Sequence, residues 1–517
     1  MLKVPIQRVV DHSNVKTATR IDGLNHFFSL ILTLKRRIRE YRIVEMGDYQ
    51  RFLLHQCQQI LSHVTPSKDG GKLRQLLDQL IAYQLAVRKH PLASLPSVSS
   101  NQFDVSTKPL SLELAAEIDY RIELAASYQM TNPQRICQLL LAGLQIDQPP
   151  QFNLLHVTYL TTIHQKPLIG SVKLATELGI SPRTLNQEKN YLFAHYGIHV
   201  ASMLDPHQFK LAHVGVHFRT KSLKMSQQLE NRFLHELQIN RTLPFLQGYV
   251  FDLNQQDGFL ASFIPNQVQA KKQFHQLIQE WDDLFFEYSS THYIWGYYEN
   301  MNFTSYNHIS NEWEVTADLR TEGTRQFIEK HGFQFPPPRG FTYSQKTLSF
   351  TPADWILALS ICEGLLDRKD RQMLLNRFGL PMAEKTVWTH ENKLKKTQSY
   401  FPYIAVSRLF FDEIICAIIK CEASTIEFLH QFITQFALSR LFLTVDGIIL
   451  FIGVPSWGSS LTNQLTHTLL DMPGLSDVVI LRFKRDLPHL PAIHTHRLWN
   501  SKTRQWTSPE SSNMPKA

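Results

Sequence analysis

Apolar side chains recur at three- and four-residue spacing through "KLRQLLDQLIAYQLAVRKH", where Leu73, Leu76, Leu77, Leu80 and Ile81 fall on one face of a helix. The segments "SLELAAEIDYRIELAASYQ" and "PQRICQLLLAGL" keep the same period, so residues 1–150 read as an all-helical N-terminal region. The Pro- and Ser-rich stretch 90–111 interrupts it as a loop or linker. No chemical motif falls in this region, and a packing or dimerisation module is expected.

From residue 151 the chain repeats itself after about 200 residues, far more than a solenoid unit, which points to domain duplication. In the first copy "QFNLLHVTYLTTIHQ", "GSVKLATELG" and "SPRTLNQEKNYLFAHYG" read as three helices; "PADWILALSICEG", "RKDRQMLLNRFG" and "AEKTVWTHENKLKK" fill the same places in the second. Gly179 and Gly379 end the second helix of each trio, and Thr184, Leu185, Asn190, Leu192 match Thr386, Val387, Asn392, Leu394 in spacing. Each trio is followed by strand, helix, strand, strand, helix, strand, the ferredoxin-like order. Trp313 in "NEWEV" and Trp506 in "RQWTS" close the two copies.

The expected fold class is therefore α+β and multidomain: an all-α region, then two copies of a helix-turn-helix trio followed by a ferredoxin-like βαββαβ domain. The expected boundaries are 1–150; 151–212 and 213–300 for the first copy; 301–350 for an extension and Pro-rich linker; 351–410 and 411–488 for the second copy; and 489–517 for a tail.

Charge adds a direction. The chain of 517 residues carries a formal net charge of +8, which favours an anionic partner over an acidic substrate. Its five cysteines, Cys57, Cys137, Cys362, Cys416 and Cys421, are scattered without a C-x-x-C pair, which suggests neither a disulfide framework nor a cysteine zinc site and fits a reducing cytoplasm. The apolar "HFFSLILTL" at 26–34 is too short to span a bilayer, and "LFLTVDGIILFIGVP" at 441–455 is broken by Asp446 and Gly447 into two buried strands. No membrane span is expected.

The stretch "VKLATELGISPRTLNQEKNYL" carries the most specific local chemistry. Ser181 can cap the third helix and Pro182 sits at its first position, where a missing N–H costs nothing. A helix so presented fits a major groove about 12 Å wide. Its candidate DNA contacts are Ser181, Arg183, Thr184, Asn186, Gln187 and Tyr191: Asn and Gln for adenine, Arg for guanine or phosphate, Thr for phosphate or a thymine methyl. The second copy offers a weaker set, Lys385, Thr386, Thr389 and Lys393, on a helix that also bears Glu384, Trp388 and His390. Four residues after Leu185 stands Lys189, and Glu391 occupies the matching place. Neither is expected to be buried alone. Either their stems pack while the heads reach water, or the two charges face each other across a pseudo-twofold.

With "YGIHVASMLDPHQFKLAHVGVHFRTKS" after the first trio, the chain resembles the leucine-responsive/asparagine regulator (Lrp/AsnC) family of transcription regulators, through Leu204, Asp205, Pro206 and Leu211. The likeness covers about 155–300, and about 352–486 by element order. The resemblance implies that each trio belongs to a winged helix-turn-helix and that the chain is a DNA-binding regulator whose two copies form an intramolecular pseudo-dimer on double-stranded DNA. It also implies paired regulatory domains, with an effector pocket near the turn between their second and third strands. The matching turns keep Asp257 with Gly258 and Asp446 with Gly447. These are ligand-loop candidates, although Asp-Gly is also a common hairpin turn because both residues tolerate positive φ. A homo-oligomer through the N-terminal helices or the ferredoxin-like domains is a further possibility.

No catalytic constellation, metal-ligand set or cofactor motif stands out. The histidines of "HYGIH" and "HLPAIHTH" lack carboxylate or cysteine company, and no phosphate-binding glycine loop or nucleophile elbow is present. The expectation is a chain that is not an enzyme. The alternative to DNA readout is a non-catalytic protein-interaction or ligand-sensing scaffold that kept the fold.

Overall fold

The computed structural model describes residues 151–507 apart from 231–244, 311, 314–338, 407–410, 412, 455–458, 472–474 and 484–492, together with Arg121, Leu124, Tyr128 and Leu139. The chain divides into two units, Met1–Leu141 and Ala142–Ala517. In the first, Arg121 donates a hydrogen bond to the Leu139 carbonyl; the helices predicted for 1–150, and the three prolines at 336–338, otherwise lie outside the described residues.

The second unit begins with three helices, α1 (Leu154–Gln165), α2 (Ser171–Glu177) and α3 (Pro182–Tyr196). Asn153 and His156 form a reciprocal cap on α1, each side chain receiving the other's backbone N–H. Ser181 accepts the Thr184 N–H at the start of α3, and Gly197 closes that helix in the left-handed conformation with φ 63. Strand β1 (His199–Leu204) follows. After it come β2 (Leu211–Thr220), β3 (Leu246–Phe251), β4 (Asp257–Pro265), α4 (Val268–Leu284) and β5 (Phe286–Met301). Residues 223–230 are helical, and the rest of the helix predicted there lies outside the described residues. The hairpin β6 (Tyr306–Asn307) with β7 (Glu312–Trp313) then packs Tyr306 against Phe152, just before α1.

Next come β8 (Arg339–Thr342) and a second trio, α5 (Pro352–Glu363), α6 (Arg368–Arg377) and α7 (Glu384–Lys396). Strand β9 (Tyr400–Ala405) leads to β10 (Glu413–Cys421), α8 (Ala423–Phe432), β11 (Leu438–Thr444), β12 (Gly447–Val454), α9 (Ser459–Asp471) and β13 (Leu475–Phe483). The hairpin β14 (Trp499–Asn500) with β15 (Gln505–Trp506) packs both tryptophans on Phe350, the residue before the second trio that matches Phe152.

The fold is mixed α and β around one large antiparallel sheet. Its order is β13-β10-β12-β11-β5-β2-β4-β3, with β8 also paired to β5. Within each half the four strands stand in the order fourth, first, third, second. The halves join through β5, whose first part pairs with β2 and whose last part, Ile294–Met301, pairs with β11. A register shift beside Trp295 bends the strand between these duties. The bend turns one face of each half toward the other, so that Phe259 meets Phe451 at 5.7 Å and His213 meets Phe442 at 5.7 Å. Helix α4 covers the outer face of the first half through Phe274 and Trp281, and α8 and α9 cover that of the second through Leu429 and Leu465. Burial of each such side chain contributes about 1.5–3 kcal/mol.

Four differences from the expected elements have physical causes. Strand β5 runs on to Met301 because its polar end is satisfied in place: Arg440 donates to Glu299, and Asn300 donates to the carbonyls of Ile433 and Phe436. The end of the expected linker is a strand, β8, since β5 offers it a free ladder. Strand β9 pairs with β1 of the first copy, from His199 opposite Ala405 to Leu204 opposite Tyr400, a partner about 200 residues away. In the first Asp-Gly turn the positive φ falls on Gln255, not on Asp257 or Gly258, which open β4. Gly447 does need to be glycine, because a Cβ there would stand 2.0 Å from the Ile419 carbonyl oxygen.

Candidate functional site

The third helices of the two trios present different surfaces. On α3, Arg183, Asn186, Gln187 and Tyr191 are exposed and Thr184 is half-buried. Ser181 is occupied by capping, with its hydroxyl 3.0 Å from the Thr184 N–H and 2.8 Å from the Thr184 hydroxyl. Tyr191 lies flat on His156, with ring centroids 5.3 Å apart and planes 16° from parallel, and also touches His195. The helix is seated by Leu185 and Leu192, both fully buried, and by Glu188, whose carboxylate is 2.7 Å from His156 Nε2.

On α7, Lys385, Thr386 and Thr389 are exposed, and Thr389 donates its hydroxyl proton to the Lys385 carbonyl. Lys393 donates instead to Asp354 at 2.9 Å and to the Ser349 carbonyl at 2.7 Å. Its ammonium thus serves the interior of the trio. Asp354 is fully buried and also receives His390 Nδ1 at 2.6 Å and the backbone N–H of Thr351. Burial alone would raise its pKa, but the hydrogen bonds from His390, Lys393 and Thr351 outweigh it and hold the carboxyl below its ordinary value. Helix α7 has no side-chain cap at Ala383, and Glu384 stands in its first turn, where it favours the helix dipole and repels phosphate.

Lys189 and Glu391 do not meet across a pseudo-twofold. Lys189 donates to Ser171 at 3.2 Å, with burial pushing its pKa down. The Glu391 carboxylate is 11% exposed and accepts from Arg368 at 3.0 Å and Arg371 at 2.8 Å. Its head is therefore held by two guanidinium groups and does not reach out to water.

A second polar cluster lies where the two sheet halves face each other, and it was not anticipated. The register aligns His217 of β2 with Ser290 of β5 and Phe259 of β4, and Arg219 with Tyr288 and Asp257. His217 is 2% exposed, its Nε2 has no hydrogen-bond partner, and burial pushes its pKa down to about 4 against the pull of Asp257. His292 Nε2 and the Ser290 hydroxyl are 2.6 Å apart. Burial lowers the His292 pKa, while Asp446 and Lys420 of the second half act on it in opposite senses. Asp257 accepts from Asn254 at 2.8 Å and from the Tyr288 hydroxyl at 3.4 Å, with Arg219 3.8 Å away.

Of the four ligand-loop candidates, Asp257 and Asp446 therefore act on this cluster. Gly258 packs its bare Cα against the Phe218 ring, and Gly447 lies against the Ile419 carbonyl. The sequence signal for the cluster is the alternation in "HVGVHFRT", which puts His213, Gly215, His217 and Arg219 on one face of a strand. Chemically, a neutral buried imidazole beside a hydroxyl and a half-exposed guanidinium can bind an anionic group and exchange a proton with it. Among the described residues no group of three or more His, Cys, Asp or Glu could hold a metal ion.

No protein-family model matches the chain, and no curated protein matches it. Solved structures of Lrp/AsnC-like fold are similar to it, weakly and in part. The crystal structure of the siroheme decarboxylase NirDL is 14% identical, covering 66% of this chain and 97% of that one with a TM-score of 0.39. The transcriptional regulator NMB0573 from Neisseria meningitidis, in complex with L-Met, is 14% identical over 28% of this chain and 89% of that one, with a TM-score of 0.22. PH0061 is 9% identical over 28% and 93%, with a TM-score of 0.21. The expectation that the chain is not an enzyme is corrected here: an enzyme stands among the similar structures, and the absence of familiar catalytic motifs does not exclude catalysis in a chain of this kind.

Proposed function

We propose that this chain is a DNA-binding transcription regulator in which two Lrp/AsnC-like modules, each a winged helix-turn-helix with a ferredoxin-like domain, act as an intramolecular pseudo-dimer. The observation that carries the reading is α3: a capped, well-seated helix whose Arg183, Asn186 and Gln187 are exposed near its N-terminus, the end that enters a major groove. Pairing of β1 with β9 supports the pseudo-dimer, because it joins the segments that follow the two trios. Helix α7 is the weaker partner, contributing Lys385, Thr386 and Thr389 to phosphate contact, while Lys393 is held by Asp354. The domain boundaries given above are those of this arrangement.

Salt tests it. A groove reader releases counterions on binding, so log Kobs for duplex DNA falls against log salt with a slope of about −0.9 per phosphate contacted. Several phosphate contacts are expected, giving a slope of about −4 or steeper. Duplex binding that is absent at low salt, or unmoved by raising it, overturns the reading.

The cluster around His217 favours a second reading, a small-molecule site between the sheet halves that either senses a ligand or transforms it. Its unpartnered Nε2 supports a polar occupant. Screening small carboxylates and phosphates by calorimetry tests this: a ligand whose binding is lost in both His217→Asn and Arg219→Ala supports it, and the absence of any such ligand counts against it. Among the described residues no helix is long and apolar enough to cross a membrane.

A further inference from the structure

The two helical trios use the same positions for their polar contacts, with the chemical roles exchanged. The third residue of the first helix is His156 in one trio and Asp354 in the other, each completing a reciprocal cap. Seven residues after the cap of the third helix stand Glu188 and His390, so one trio pairs His with Glu at 2.7 Å and the other pairs Asp with His at 2.6 Å. The next position is exchanged as well. Lys189 reaches Ser171 and Glu391 reaches Arg371, and those partners both lie eight residues before the glycine that ends the second helix. Two positions further on, Tyr191 stacks on His156 and Lys393 pairs with Asp354.

The apolar seat makes no such distinction. Leu185 and Leu192 of α3 match Val387 and Leu394 of α7, and all four are buried to 1% exposure or less. Hydrophobic packing alone would let either third helix settle on either trio. We propose that the exchanged polar pairs are a pairing code that keeps each third helix on its own trio and bars helix exchange within and between chains. If α3 were placed on α5 and α6, Glu188 would oppose Asp354, and Lys189 would oppose Arg371 and Arg368. If α7 were placed on α1 and α2, His390 would oppose His156, and Glu391 would lose both arginines. Each wrong placement carries a charge penalty, Glu188 against Asp354 and Lys189 against the arginines in one case and a Glu391 carboxylate stripped of its cations in the other, which is how specificity is built against an alternative of similar shape.

Two variants of the full chain test the code. In the first, the first trio receives the second trio's set: His156→Asp, Leu168→Arg, Ser171→Arg, Glu188→His, Lys189→Glu and Tyr191→Lys. Its own pairs remain satisfied, but wrong pairings are no longer penalised. In the second, the second trio also receives the first trio's set, Asp354→His, Arg368→Leu, Arg371→Ser, His390→Glu, Glu391→Lys and Lys393→Tyr, so the two codes differ again. Each is refolded from denaturant at one fixed concentration, and the fraction that elutes at the wild-type position is read by size exclusion. The first variant is expected to lose this fraction about threefold or more to helix-exchanged species and aggregates, and the second to recover the wild-type yield. Wild-type yield from the first variant overturns the proposal, and so does a second variant that refolds no better than the first.

Discussion

Helices α3 and α7 begin from the same spacing of Thr, aliphatic and Asn residues and end in opposite electrostatic settings. On α3 the partners of the buried seat are His156 and Ser171, so Arg183 and Gln187 remain free to act outward. On α7 a fully buried carboxylate, Asp354, draws in His390 and Lys393. The helix thereby gains a firm seat and gives up a cation that a DNA-facing surface would use. The comparison teaches that exposure of a helix face and availability of its charges are separate properties. Lys393 is on the face expected to be basic, yet its charge is neutralised from below.

The comparison can be broken most strongly at Asp354. Replacing it with Ala leaves a lysine and a histidine without their buried partner and removes a cap. An unfolding free energy lower by about 3 kcal/mol is expected, against about 0.5–1 kcal/mol for Glu188→Ala, whose carboxylate is 26% exposed. Equal losses in denaturant titrations would erase the distinction between the two seats. The joint between the modules comes next. Gly364 ends α5 at φ +68, and a Cβ there would stand 1.9 Å from the Val200 carbonyl oxygen of β1, so Gly364→Ala should cost about 2 kcal/mol or more. A wild-type melting curve would mean that this contact does not hold the modules together.

Acid acts on two groups of the first copy in opposite senses. Burial raises Asp205 to about 6, and the backbone N–H groups of Ser344 and His207 only partly offset that. Its folded form binds a proton more tightly than its unfolded form, so its contribution to stability grows as pH falls from about 6 to 4. His217, lowered to about 4 by burial, does the reverse: it loses stability as pH falls from about 6.5 to 4. The two contributions oppose each other, each worth about 3 kcal/mol. Asp205→Asn should therefore expose a fall in stability toward pH 4, and His217→Asn a rise. Asp354 adds nothing in that window, since its depressed pKa places its loss below the ordinary carboxylate range.

Much of the architecture was legible. The strands "EIICAIIKC" and "GIILFIGVP" read almost end to end because both of their faces are buried and their composition is nearly uniform. The last turn of β5 was not legible, because Glu299 and Asn300 look like loop residues until Arg440 and two distant carbonyls satisfy them. Nor was the pairing of β9 with β1, whose partner lies in the other copy. The Ser181 cap of α3 and the exposure of Arg183 follow from local spacing. The pairs that seat the third helices join residues 32 and 36 positions apart, and their residue types change between the copies, so no local pattern announces them. The histidine cluster was half visible in the alternation along β2; its other half comes from β5.

The most direct test of the account sets the two helices against each other on one duplex. Sequence preference is measured by selection from a random DNA pool for the wild-type chain, for Arg183→Ala with Gln187→Ala, and for Lys385→Ala with Thr389→Ala. The account predicts that the α3 variant loses base preference, while the α7 variant keeps it and binds all sequences more weakly, with a salt slope shallower by about 1 per lost phosphate contact. Unchanged preference in the α3 variant, or an equal loss of preference in both, would contradict it.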